Sequence, residues 1–385
     1  MPGIAEWFCL ASERKNFAID PLKDRKLLLG DLSWESEIQN RLKKSQLLGT
    51  PLRLVWWGQY GIGKTHRLRH TEHLVKKSGF DYQTNYVVAS DIQEKSGFDR
   101  LHYELVNSLG MAEVQEHLRS YFTKLVGDQT GMLTISELCS GSADVENAIN
   151  AFGNPTPNVN AIAPAWQFLC GQPLEKSQLA LVGVSKPRLE RAADFSTVMV
   201  ALAAIVEHET EKQLLFLIDE GENLNRITNR TAEAQWNETL RSILDIKQLN
   251  LVVTVGAEKI DALPVLLIRP DIVRRIERDN YVEMATYDKP VAEAFLKGLF
   301  ANWIDPSLRG ELEKAEGWRN DKDYVPELFP FTEKAFHQFC DFATVDPRNA
   351  KPSEILAKVN DVVAEAFLAN VRPIDKAFLD SQNVG

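Results

Sequence analysis

The chain has 385 residues, of which 44% are hydrophobic and 25% charged, with a formal net charge of -10. That length allows two or three domains and a large core, and the composition is ordinary for a soluble globular protein. The negative balance argues against a protein whose whole surface binds nucleic acid, though it leaves room for a local basic channel.

Residues 1–30 are mixed, with Pro2 and Pro21 and no clear periodicity. Residues 33–48 then read as an amphipathic helix, with Ser33 as N-cap and Glu35 and Glu37 in the first turn. Gly49, Thr50 and Pro51 end it. The next stretch, 52–57, is an apolar strand running into Gly58-Gln59-Tyr60-Gly61-Ile62-Gly63-Lys64-Thr65, the G-x-x-x-x-G-K-T pattern of a Walker A phosphate loop. Gly58, Gly61 and Gly63 let the backbone wrap tightly, so that its N–H groups face phosphate oxygens. Lys64 is placed to reach the β- and γ-phosphates, and the Thr65 hydroxyl to ligate Mg²⁺. A helix over 66–77 aims its positive end at the same anion. The competing reading is a glycine-rich turn in an unrelated α/β domain.

Residues 85–89 predict a second strand, and 98–109 and 113–126 predict helices. From 127 to about 190 the chain is rich in turn and breaker signals, too long for a bare loop, and reads as a partly helical insertion. A helix over 195–209 leads into residues 213–220, an apolar strand ending in Asp219 and Glu220. That is the Walker B pattern: Asp219 to hold Mg²⁺ through its water shell, Glu220 to polarise the attacking water. Alone, such a segment is equally a core strand ending in a solvated acidic turn. The adjacent Glu220 is what predicts hydrolysis rather than binding alone. A helix over 232–247, a strand over 250–255 and a short strand over 281–284 follow, and from Pro290 the pattern is helical. Strands alternating with helices predict a parallel-sheet αβα core. The expected division is an N-terminal segment at 1–50, an αβα nucleotide-binding core at 51–288 and a small helical lid at 289–385.

The four cysteines, Cys9, Cys139, Cys170 and Cys340, lack C-x-x-C spacing, which suggests a reducing compartment and no structural zinc. No apolar run approaches the roughly 20 residues of a membrane span. The N-terminus lacks a signal-peptide layout, so a cytoplasmic protein that does not engage membranes is expected.

With both motifs in this order, the chain resembles the AAA+ P-loop ATPases. It is similar to the branch containing origin-recognition-type initiators, transposition-regulator ATPases and ATPases of bacterial phage-defence loci. The resemblance covers nearly the whole chain and implies an ATP- and Mg²⁺-dependent ATPase that assembles as a homo-oligomeric ring or filament. It further implies assembly on DNA or on a DNA-bound partner protein. It assigns a polar sensor after Walker B to Thr254, with Glu258 as rival, and an arginine finger acting across a subunit seam to Arg274 or Arg275. A second sensor arginine opening a lid helix falls on Arg348. Two departures stand out: the long insertion before Walker B, and a chain ending at residue 385, which leaves no room for an initiator's winged-helix domain.

Other constellations have plainer readings. His66, His70 and His73 share one helix face but read as surface histidines, and Trp56 and Trp57 as core. Arg67, Arg69, Lys76 and Lys77, with Arg119 and Lys124, form a basic cluster that reads as a solvated face before it reads as a nucleic-acid groove. Arg274 and Arg275 are as readily helix-end arginines capping carbonyls. Two functional alternatives remain: an ATP-switched signalling scaffold that recruits an effector without nucleic acid, and a threading motor. The motor needs an aromatic pore loop after the second strand, for which Phe98 is the one aromatic near enough.

Overall fold

A computed structural model describes residues 3–30, 32–90, 92–127, 132–156, 158–382 and 384. The chain divides into two compact units, one of residues 1–39, 60–70 and 284–385, the other of residues 40–59 and 71–283.

The second unit is built on a five-stranded sheet in the order β2-β3-β4-β1-β5, with β1 Arg53–Gly58, β2 Tyr82–Val88, β3 Gln213–Asp219, β4 Leu249–Gly256 and β5 Tyr281–Glu283. Every pairing is parallel. The chain is therefore the α/β class with the parallel sheet that its alternating pattern predicts. The central strands β1, β3 and β4 are buried almost end to end, because helices cover both faces and no residue needs to meet water. In β2, next to only one strand, burial alternates more. β4 lies between β1 and β3, so the carboxyl ends of all three open on the same side of the sheet.

The 127–190 segment forms helices at Ile135–Leu138, Ala143–Gly153, Val159–Leu169 and Lys176–Val182. Its Ile149, Phe152, Phe168 and Leu169 lie in the same hydrophobic core as Phe216 of β3 and Leu202 of the Ala192–Thr210 helix. The insertion thus shares the core of the sheet. Phe98 also lies in that core, fully buried, with its ring edge-on to Trp236 at 4.9 Å and to Phe195 at 5.6 Å. It is no exposed pore-loop aromatic, which removes the one residue that suggested a threading motor.

The first unit packs the helices Lys289–Trp303, Glu333–Thr344 and Pro352–Leu368 around Phe300, Phe336, Phe339 and Trp303. The N-terminal segment is tied into it. The Phe17 N–H donates to Asn360 Oδ1 and the Asn360 side chain donates back to the Phe17 carbonyl, both at 2.9 Å. Arg14 pairs with Asp24 at 2.5 Å and stacks on Trp303 at 3.9 Å. Among the described residues, no helix is long and apolar enough to cross a membrane, and all four cysteines are free and buried.

Candidate nucleotide site

In the first unit, Gly61 and Gly63 adopt φ of +82° and +92°, values that side chains with a Cβ rarely take. Lys64 and Thr65 open the Lys64–Ser78 helix, with Lys64 only 8% exposed. Its ammonium lies 5.2 Å from the Tyr60 ring centroid. The Gly61 carbonyl accepts the N–H of Ser353 at 3.3 Å, in the first turn of the Pro352–Leu368 helix. A Cβ at Gly61 would run into Ser353 Oγ, so glycine is required here for its φ and for this approach alike.

The same helix carries a correction. His70 is 3% exposed and not a surface residue; its Nδ1 lies 2.9 Å from the Arg25 carbonyl. His66 Nε2 lies 2.6 Å from the Leu27 carbonyl, and burial pushes its pKa down. Arg67 is likewise buried and lies over the Trp34 ring at 5.3 Å. Arg25 and Leu27 meet this helix face through their main-chain carbonyls, which leave no mark in a side-chain pattern, and Trp34 meets it through its ring. Elsewhere in the basic cluster, Lys76 pairs with Glu72 at 2.9 Å and Lys124 with Glu209 at 2.8 Å.

In the second unit, Asp219 ends β3 and Thr254 lies near the end of the adjacent β4. Thr254 is fully buried and donates its hydroxyl to Asp219 Oδ1 at 2.5 Å. The Glu220 N–H donates to the same oxygen at 3.0 Å, and Tyr86 Oη donates to Oδ2 at 2.9 Å. Both carboxylate oxygens are therefore held, and the ring of donors fixes the side chain's orientation. Glu220 is exposed and sits at φ +59°, ψ +35°, a left-handed conformation that costs a non-glycine residue about 1–2 kcal/mol. Its carboxylate accepts from Asn223 Nδ2 at 3.2 Å, and Asn223 also donates to the Ala89 carbonyl at 2.8 Å. Gly221 follows, where a Cβ would come within 2.8 Å of the Thr254 carbonyl. Glu222 then accepts the Gly256 N–H at 2.8 Å and ties this turn to the end of β4.

Tyr86, Asn223 and Glu222 were not among the residues singled out from sequence. Tyr86 reaches Asp219 because β2 pairs with β3 in the register Val88↔Asp219, a pairing no local pattern discloses. Asn223 had a fainter signal, a polar amide three residues beyond the acidic pair.

The arginines differ in availability. Arg275 donates to Asp245 at 2.8 and 3.0 Å and to the Asp271 carbonyl one turn back at 2.9 Å. The Asp245 pairing raises the guanidinium's pKa further and lowers that of the carboxyl. Arg274 beside it is exposed and forms no ion pair with a described residue. Arg348 lies in the first unit, 83% exposed, with Nε and Nη2 each 3.1 Å from an Asp346 oxygen. Glu258 is exposed and takes no part in the Asp219 cluster.

No protein-family model matches the chain, and no curated protein matches it. Among solved structures it is similar to Cdc6p from Pyrobaculum aerophilum, at 13% identity and a TM-score of 0.44, over 92% of this chain and 68% of that one. It is also similar to a Walker-type ATPase of Pyrococcus abyssi, at 15% identity and 0.39, over 92% and 78%. The ORC2 protein of Aeropyrum pernix matches at 10% identity and 0.44, over 95% and 69%. With each of these TM-scores below 0.5, the likenesses carry no argument about this chain's activity.

Proposed function

We propose that this protein is an AAA+-type ATPase that binds ATP with Mg²⁺ and hydrolyses it. The observation that carries the reading is the pair Asp219–Glu220. One carboxylate is buried and fixed by three donors, and the next is exposed on a strained turn. That division of labour suits a metal-positioning acid followed by a water-activating base. Asp219 offers hard oxygen of the kind Mg²⁺ takes through its water shell, with the Thr65 hydroxyl as the second protein ligand. Gly58, Gly61 and Gly63 shape the loop, Lys64 neutralises the β/γ-phosphates, and Thr254 acts by holding Asp219. Arg274 serves a neighbouring subunit's nucleotide, since Arg275 is committed to Asp245. Arg348 exchanges Asp346 for the γ-phosphate. Nucleotide state thereby controls homo-oligomer assembly on DNA or on a DNA-bound partner, in mobile-element or phage-defence biology, within the cytoplasm.

The binding half of this reading is tested by titrating full-length protein with a fluorescent ATP analogue. Lys64→Ala is expected to abolish binding. Affinity within a few-fold of wild type would contradict the phosphate-loop assignment.

A further inference from the structure

A cleft of about 780 Å³ opens in the second unit. One wall is the 93–100 stretch after β2, another is residues 188–190 from the insertion, and the third is the start of the Arg230–Leu244 helix. The walls are cross-linked. Gln235 Nε2 donates to the Glu190 carbonyl at 2.9 Å, Trp236 Nε1 to the Ser96 carbonyl at 2.8 Å, and the Asn229 N–H to the Glu94 carbonyl at 3.4 Å. These hydrogen bonds tie the three walls to one another.

Three cations and two carboxylates, Asp99 and Glu190, are among the residues of its lining. Lys95, Arg100 and Arg188 line it, all are exposed, and none forms an ion pair with a described residue. Some arginines of the unit are paired with carboxylates, as Arg191 with Asp194 at 2.6 Å and Arg269 with Glu233 at 3.2 Å, and others, such as Arg274, are exposed with no ion pair to a described residue. In a chain with 54 acidic residues against 44 basic ones, this one concavity is lined by three exposed cations. Of the cleft's two carboxylates, Glu190 already faces Lys186 at 3.4 Å. The remaining polar lining is side-chain amide and hydroxyl, chiefly Gln93, Asn229 and Thr231. Arg100 also borders a second, smaller cleft of about 240 Å³, where Tyr103 is half-buried.

We propose that this cleft binds single-stranded nucleic acid. Lys95, Arg100 and Arg188 take phosphates, the amides meet base edges, and Tyr103 beyond Arg100 supplies a stacking face. A duplex presents its phosphates on a convex cylinder, whereas these cations line a concavity that an unpaired chain can enter. An acidic peptide would use the cations but not the base-edge amides. The site stands independently of the ATPase reading, because none of its residues belongs to the phosphate loop or to the Asp219 cluster.

The test is fluorescence anisotropy of a labelled oligothymidylate with the full chain, without nucleotide, across about 50 to 200 mM potassium chloride. Wild type is expected to bind with an affinity that falls steeply with salt. Arg100→Ala with Arg188→Ala should weaken binding roughly tenfold and reduce the log–log salt slope by about 1.4, at about 0.7 per lost phosphate contact. Its thermal melt should match wild type, since both side chains are exposed and unpaired. Lys212→Ala with Lys247→Ala, exposed cations outside the cleft, should leave affinity within about twofold. The proposal is overturned if wild type does not bind the oligonucleotide, or if the double variant binds as wild type does. Equal competition by a duplex of the same length or by polyglutamate overturns it as well.

Discussion

Replacing Thr254 by valine keeps the side chain's shape and removes one hydroxyl. That hydroxyl is the shorter of the two donors to Asp219 Oδ1, at 2.5 Å against 3.0 Å for the Glu220 N–H. Thr254 is fully buried and Asp219 is 4% exposed, so water has little access to replace the lost donor. A hydrogen bond to a charged group contributes about 1.5–3 kcal/mol, and here a methyl group would also face a carboxylate oxygen. We expect a loss of stability near the middle of that range, read as a shift of the urea midpoint at unchanged slope. If Asp219 positions Mg²⁺, the Mg²⁺ concentration for half-maximal ATP turnover should rise about tenfold, the equivalent of about 1.4 kcal/mol. Thr254→Ser keeps the donor and loses one methyl, about 1 kcal/mol, so it should be less stable than wild type while retaining the normal Mg²⁺ dependence. The reasoning is refuted if valine is the milder substitution, or if serine and valine shift the Mg²⁺ requirement equally.

Three further expectations follow from particular residues. Gly61→Ala should destabilise by at least about 1–2 kcal/mol from its positive φ alone, and Ser353→Gly should recover only the steric part, as measured by denaturant midpoints of the single and double variants. Arg275→Ala should cost up to about 1 kcal/mol, since its Asp245 partner is largely exposed, whereas Arg274→Ala should leave the melt unchanged and stop turnover; mixing it with Lys64→Ala should restore activity across a seam, and failure of the mixture to recover would count against the trans role. His102 is fully buried with Nε2 2.8 Å from the Leu169 carbonyl, and burial pushes its pKa down to about 4. Below about pH 6.5 the unfolded chain takes up a proton that the native imidazole refuses, so stability should fall by about 3 kcal/mol between pH 6.5 and 4. His102→Gln should flatten that slope, and an equally steep pH profile would assign it to other groups.

The parts of the molecule legible in sequence are those whose cause is local. β1, β3 and β4 announce themselves as apolar runs because both their faces are covered, and the motif residues are written at their ends. The insertion's helical content was readable from its punctuation. That its Ile149 and Phe152 share a core with β3 was not, because such packing is set by contacts far apart in sequence. The N-terminal stretch was opaque for another reason. Part of its attachment is through main-chain groups, the Arg25, Leu27 and Phe17 carbonyls, meeting His70, His66 and Asn360. Any residue type can present a carbonyl, so no periodicity records the contact. For the same reason His66 and His70 looked like surface residues. Thr254 could be picked out by its place after Walker B, but its action on Asp219 depends on β4 lying beside β3.

The central claim is that Glu220 activates water for ATP hydrolysis. Its most direct test is phosphate release from ATP and Mg²⁺ by wild type and Glu220→Gln, with bound nucleotide quantified in the same samples. The account predicts that the glutamine variant binds ATP as wild type does, releases phosphate at a rate lower by a factor of roughly 10² or more, and accumulates as the largest oligomer. Phosphate release at the wild-type rate by Glu220→Gln would contradict it.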